Sequence, residues 1–208
     1  MVATIVHVVD DDKSFRTAIA RLLRAAGYEV TVYESAQALL ERLPNDDGGV
    51  SCVLLDVQLP GLSGPELQSR LTEFGSTLPI IFLTGHGDIP TSVQAIKGGA
   101  EDFLIKPVPK DKLIDAIERA ALRHRVLQEQ NVRLKSLRSL IAKLTPREQQ
   151  VFERVVRGKV NKQIAFELEI SERTIKEHRR QVMEKFGVQS IAELVSIAEK
   201  VGILTKAQ

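Results

Sequence analysis

Over the first 108 residues, short apolar runs alternate with longer amphipathic stretches. Segments 5–9, 30–33, 52–55, 80–83 and 103–105 are brief, rich in branched or aromatic residues and bounded by Gly, Pro, Asp or Ser, a pattern that predicts strands. Between them the period lengthens. Phe15, Ile19, Leu22 and Leu23 recur at helical spacing ahead of Gly27, a candidate C′ residue. Ser63-Gly64-Pro65-Glu66 reads as a capping box that opens a helix through Leu67 and Leu71. Parallel strands need crossover connections, so this alternation predicts an α/β layer with helices on both faces of a parallel sheet.

From residue 110 to 143 the pattern is helical and free of Gly and Pro. Leu113, Ile117, Ala120, His124, Leu127, Leu134 and Ile141 approximate a heptad seam that Asn131 and Arg138 interrupt. The segment predicts a long helix leaving the first domain, either paired with a second copy or lying on its own domain. After Leu144 only short helices are predicted. Thr145-Pro146-Arg147-Glu148 combines an N-cap, a proline at N1 and a glutamate at N3, and Gly158 is placed to end that helix. Residues 161–169 form a second helix, Ser171 caps a third that Gly187 ends, and Ser190-Ile191-Ala192-Glu193 reads as a capping box for a fourth.

Composition narrows the class. With 43% hydrophobic and 27% charged residues the chain is an ordinary globular sequence, and no apolar run approaches a membrane span. No leader pattern is visible, because the apolar segment 5–9 is short and runs into three aspartates. The single cysteine, Cys52, excludes an internal disulfide framework and multi-cysteine zinc sites, and a core position is expected for it. His86 is expected in a loop. A cytoplasmic location fits this cysteine usage. The net charge of +2 is the sum of an acidic and a basic part: −6 over residues 1–122 and +8 over 123–208. Such a division points to two domains with different partners, the second suited to a polyanion.

In a doubly wound sheet, ligands bind beyond the carboxyl ends of the strands at the switch in strand order. Asp10 and Asp11 follow the first predicted strand, Asp56 the third, Thr84 the fourth and Lys106 the fifth. With strand order 2-1-3-4-5, the first and third strands are neighbours and three carboxylates converge. Their repulsion calls for a hard cation, and oxygen ligands suit Mg²⁺ or Mn²⁺. Thr84 and Lys106 offer a hydroxyl and a point charge to a phosphoryl group. Asp12 falls outside the acidic pair and is expected to cap the next helix.

Val8-Val9-Asp10-Asp11, Leu54-Leu55-Asp56-Val57-Gln58-Leu59-Pro60-Gly61, Leu83-Thr84-Gly85 and Phe103-Leu104-Ile105-Lys106-Pro107 resemble the receiver domain of two-component response regulators, over roughly residues 4–122. The resemblance implies a flavodoxin-like (βα)5 fold with Asp56 as the phosphorylated aspartate. It also implies Asp10 and Asp11 as the metal-binding pair, joined by Asp56 and the Gln58 backbone carbonyl. Thr84 and Phe103 match the switch pair, and Lys106 the phosphate-sensing lysine before a cis proline. A core role would account for Phe103 equally well. An aspartyl-phosphate phosphatase is disfavoured, because Gln58 stands where such enzymes carry a second carboxylate.

Asn161-Lys162-Gln163-Ile164-Ala165 followed by Ile170-Ser171-Glu172-Arg173-Thr174-Ile175-Lys176-Glu177-His178 has helix-turn-helix form. Ile175, Val182 and Phe186 share one face of the second helix, with His178 beside them. Arg173, Lys176, Glu177 and Arg180 lie opposite, a cationic front suited to the DNA major groove. Residues 144–204 resemble the LuxR-type (NarL/FixJ) DNA-binding domain. The whole architecture, with Thr84-Gly85-His86-Gly87-Asp88-Ile89-Pro90, resembles FixJ-like regulators most. That resemblance implies base-reading positions at Lys176, Glu177 and Arg180. Arg173, Arg179, Lys162 and Lys185 are candidates for phosphate contacts, Thr174 is a further DNA-contact candidate, and His178 is expected to be structural.

The expected organisation is a receiver over residues 1–122, a helical linker over 123–143 and an all-α, four-helix helix-turn-helix domain over 144–208. The expected function is transcriptional regulation rather than enzymatic turnover. A sensor histidine kinase would be the phosphodonor, a double-stranded operator the target, a homodimer the phosphorylated state and RNA polymerase a further partner. No membrane partner is expected. The rival reading is a phosphorylation-independent DNA-binding regulator whose receiver serves only protein contacts.

Overall fold

Five parallel strands, β1 (Ile5–Val9), β2 (Glu29–Tyr33), β3 (Ser51–Asp56), β4 (Ile80–Thr84) and β5 (Asp102–Ile105), form one sheet in the order β2-β1-β3-β4-β5. The crossovers are α1 (Lys13–Ala25), α2 (Ala36–Glu41), α3 (Gly64–Glu73) and α4 (Ile89–Lys97), and α5 (Lys110–Ala142) follows β5. A computed structural model describes residues 4–42, 49–85 and 89–204, the side chains of 89–91 excepted, so His86, Gly87 and Asp88 lie outside the described residues.

Alternate side chains along the strands enter two separate hydrophobic layers. Val6, Val8, Cys52, Leu54, Ile81 and Leu83 meet Ile19 and Leu23 of α1 and Leu113 and Ile117 of α5. Val9, Val53, Leu55 and Phe82 meet Leu39 of α2 and Leu67 and Leu71 of α3. Each such side chain, fully withdrawn from water, contributes about 1.5–3 kcal/mol. Burial pushes the Cys52 thiol up to about 12, so it is an unreactive core group. His7 is also buried, with Nδ1 3.2 Å from the Tyr33 hydroxyl. Burial, and then the charge of His124, lowers its pKa to about 4 and keeps the ring neutral.

Local capping sets the helix starts. The Asp12 carboxylate accepts from the N–H groups of Ser14 and Phe15, as expected for a residue outside the acidic pair. Ser63 and Glu66 form the reciprocal box. The helix after β5 runs unbroken through α5, and its first part lies on its own domain. Leu113, Ile117, Ala120 and His124 are buried, the Ser51 N–H donates to His124 Nδ1 at 2.9 Å, and Gln128 Nε2 donates to the Gly49 carbonyl at 3.0 Å. This part of the linker helix belongs to the first compact unit, and the chain divides at 129/130.

In the second unit, Leu140 and Ile141 of α5 pack on a core supplied by α6 (Pro146–Val156), α7 (Asn161–Leu168), α8 (Glu172–Phe186) and α9 (Ile191–Lys200). Phe152 and Phe186 stack there with centroids 5.4 Å apart. Thr145 and Glu148 form the expected reciprocal box. The one expected at Ser190 is half made: Ser190 Oγ accepts from the Glu193 N–H, but the Glu193 carboxylate takes the Ser190 hydroxyl instead of its backbone N–H. The helix expected to run to 169 stops at Leu168, because Glu169 turns left-handed (φ 54°).

Glu148 joins the cap to a long-range pair. Its carboxylate, only 5% exposed, accepts from the Thr145 N–H at 2.7 Å and from the Lys185 ammonium at 2.5 Å. Burial works against the charge, but the Lys185 and Thr145 hydrogen bonds outweigh it and hold Glu148 below the ordinary glutamate range. Glu148→Gln keeps an acceptor for Thr145 but removes the charge opposite Lys185, so it is expected to cost about 1–2 kcal/mol at pH 7. Because the folded pKa is depressed, this contribution is complete above the ordinary glutamate pKa and fades as pH falls through the folded value. Thermal unfolding followed by circular dichroism should show the two proteins converging in acid.

Candidate functional site

The carboxyl ends of β1, β3, β4 and β5 meet at the switch in strand order. Asp10 follows β1 and is 1% exposed, Asp56 closes β3 at 8%, and Asp11 is exposed. Carboxylate oxygens of all three lie within 4.8 Å of one another. The Lys106 ammonium donates to Asp10 Oδ2 at 2.5 Å and to Asp56 Oδ2 at 3.1 Å. The remaining oxygens accept from backbone: Asp10 Oδ1 from the Asp12 N–H at 2.9 Å and Asp56 Oδ1 from the Gln58 N–H at 3.3 Å. Lys106 is aimed by its own backbone, whose N–H donates to the Thr84 carbonyl at 2.7 Å, and the Lys106–Pro107 bond is cis.

Burial pushes the Asp56 carboxyl up despite the opposing hydrogen bond and charge of Lys106. Burial also works against the Lys106 ammonium, but its hydrogen bonds to Asp10 and Asp56 outweigh that and raise its pKa. Three carboxylates cluster, Lys106 bridges two of them, and every candidate donor in the cluster is an oxygen. That donor set fits a hard divalent cation.

Thr84 is buried at the end of β4. Phe103 is half-buried, its ring tilted against Phe82 at 6.3 Å between centroids. Gln58 is exposed beside Asp56. Three residues at the pocket carry no functional signal in the sequence. The Phe15 ring lies 4.1 Å from Lys106 Nζ. Arg16 Nη1 donates to the Asp10 carbonyl at 2.5 Å. A Cβ at Gly64, the first residue of α3, would stand 2.5 Å from the Asp56 carbonyl oxygen and 2.9 Å from Phe82 Cε1. At Phe15 the letter satisfies a core pattern equally well, and for Gly64 the capping box already accounts for the region.

In the second unit, Ile175, Val182 and Phe186 of α8 are buried, while Arg173, Thr174, Lys176, Glu177 and Arg180 are exposed. Arg180 is clamped by two carboxylates: Nη2 and Nε donate to Glu177 at 2.7 and 3.2 Å, and Nη1 to Glu184 at 2.9 Å. Arg179 is half-buried, and its Nη1 donates to Asn161 Oδ1 at 2.5 Å, bridging α8 to α7. Exposed Lys162 lines a cleft of about 470 Å³ with Lys159, Asn161 and Arg179. Lys185 is held by Glu148. His178 is half-buried with Nδ1 unpaired among the described residues, in keeping with a place beside the core face.

A (βα)5 unit with an acidic, lysine-bridged pocket, followed by a helix-turn-helix unit, defines a response regulator with a DNA-binding output. Residues 6–118 match the response regulator receiver domain family, and residues 142–198 match the bacterial regulatory proteins of the luxR family. The chain belongs to the FixJ/NarL-type response regulators. It is 45% identical over 199 residues to nodulation protein W of Bradyrhizobium diazoefficiens, covering 96% of this chain and 87% of that protein. To the transcriptional regulatory protein FixJ of the same organism it is 42% identical over 199 residues, covering 96% of each. The solved structure of the response regulator StyR matches with a TM-score of 0.80 at 43% identity, over 95% of this chain and 99% of that one. This is a family of DNA-binding response regulators and not of catalytic enzymes. Among the described residues no helix is long and apolar enough to cross a membrane.

Proposed function

We propose that Asp56 accepts a phosphoryl group from a sensor histidine kinase and that the modification controls binding of the second unit to a double-stranded operator. The observation that carries this reading is the convergence of Asp10, Asp11 and Asp56 carboxylate oxygens within 4.8 Å, with the Lys106 ammonium bridging Asp10 and Asp56. Asp10, Asp11, Asp56 and the Gln58 carbonyl would hold Mg²⁺ or Mn²⁺, which would supply positive charge to the phosphoryl oxygens. Asp56 is the nucleophile, and Lys106, which bonds Asp10 and Asp56, neutralises charge on the phosphoryl oxygens. Thr84, one strand away, follows the phosphoryl oxygens, and Phe103 shifts with it, biasing the α4–β5 surface towards a homodimer. Two recognition helices then address a two-fold operator, with RNA polymerase as a downstream partner. Lys176, Glu177 and Arg180 read bases, Lys162, Arg173, Arg179 and Lys185 serve phosphate contacts, and Thr174 is a further DNA contact. We assign the receiver to residues 1–122, the linker to 123–143 and the output domain to 144–208, in a cytoplasmic protein.

Acetyl phosphate treatment of the full chain in Mg²⁺ is expected to tighten binding to a selected operator. Affinity before and after treatment should fall with salt, with a log–log slope of about −0.9 per phosphate contact. Equal affinity in the labelled and unlabelled protein would favour phosphorylation-independent regulation.

A further inference from the structure

The Lys106 ammonium meets two carboxylates and also the Phe15 ring, whose centroid lies 4.1 Å from Nζ. An aromatic face is electronegative and attracts a cation most strongly where water is partly excluded. Lys106 meets that condition, with 19% of its side chain exposed. The ring is itself well anchored. The Phe15 N–H donates to the capping Asp12 carboxylate at 3.3 Å, and the ring packs against the layer shared by α1 and α5. Its neighbour Arg16 holds the Asp10 carbonyl at 2.5 Å, tying the first turn of α1 to the acidic end of β1. The ring thus has a fixed position relative to Asp10, whereas Lys106 sits on a flexible four-carbon stem.

We propose that Phe15 is a positioning residue for phosphoryl transfer at Asp56 and acts through Lys106, its π face holding the ammonium beside the reacting carboxylate. The inference rests on the reading of Asp56 as phosphoacceptor. In the transfer, an Asp56 carboxylate oxygen bonds to phosphorus as the bond from phosphorus to the donor atom breaks, a nitrogen in a phosphohistidine and an oxygen in acetyl phosphate. The electron pair leaves with the donor, as acetate when acetyl phosphate is used. Negative charge on the phosphoryl oxygens is then met by an ammonium already in place, which saves the reorganisation a free lysine would need. A purely structural Phe15 would be served as well by any apolar residue of similar volume.

The test uses the full chain with acetyl phosphate and Mg²⁺, reading the rate of Asp56 labelling beside the thermal midpoint of each protein. Phe15→Leu is expected to slow labelling about three- to tenfold. Phe15→Tyr, which keeps the π face, should restore the rate to within about twofold. In a Lys106→Gln background, Phe15→Leu should bring no further slowing. The proposal is overturned if Phe15→Leu labels at the wild-type rate, if Phe15→Tyr is as slow as Phe15→Leu, or if the slowing persists without Lys106. Failure of the wild-type protein to label, or labelling of Asp56→Asn, would overturn the phosphoacceptor reading and this inference with it. Normal wild-type labelling with an unaffected Phe15→Leu overturns this inference alone.

Discussion

Asp56→Asn is expected to leave a folded protein that no phosphodonor labels. The amide nitrogen is not a nucleophile, and the change also removes one of three clustered carboxylates. Folding should survive for a reason visible in the site. Burial pushes the Asp56 carboxyl up, so the folded state disfavours its charge, and a neutral isostere relieves that cost. Lys106 keeps its 2.5 Å partner in Asp10. Radiolabelling with a small-molecule phosphodonor, beside a thermal melt, gives both answers, and undiminished acid- and base-labile phosphate on the variant would refute the assignment. Asp11→Ala should also block labelling, through loss of the metal. Asp11 is exposed, so its melt should be unchanged.

Arg180→Ala is expected to weaken operator binding about ten- to hundredfold and to relax preference at one base pair per half-site. The guanidinium has the planar fork for a guanine O6/N7 pair, and in the free protein that fork is occupied by Glu177 and Glu184. Binding therefore exchanges one set of acceptors for another. The exchange makes the gain depend on the base presented, because a wrong base returns nothing for the carboxylates given up. Arg179→Ala should instead lower affinity evenly across sequences, since Arg179 is drawn towards Asn161 at the flank of the helix. Operator selection with both variants decides it. A changed base preference for Arg179→Ala, with only overall affinity altered for Arg180→Ala, would mean that the reading face is rotated from the one assigned.

What the chain discloses by itself depends on how far apart the partners lie. The caps at Asp12, Ser63, Thr145 and Ser171 are legible because donor and acceptor are two or three residues apart. The strands are legible by composition and alternation, and the carboxylate convergence follows once strand order is assumed. Ser190 shows the limit of even local reading, since a rotamer decides which group Glu193 meets. The Glu148–Lys185 and Arg179–Asn161 contacts join residues 37 and 18 positions apart, and no local pattern marks them. The same holds for Phe15 and Lys106, where helical spacing predicts only an apolar side chain and the path of the intervening strands decides what it touches.

Gly64 limits which substitutions this chain tolerates. The first turn of α3 is seated so close to the end of β3 that even a methyl group would have to push the Asp56 backbone aside. A saturation library screened for signalling would therefore score position 64 as harshly as position 56, although no atom of Gly64 handles charge, metal or phosphate. Intolerance there records a distance between two backbones. A map of mutational sensitivity drawn around this pocket would mix residues that perform chemistry with one whose part is to occupy no space.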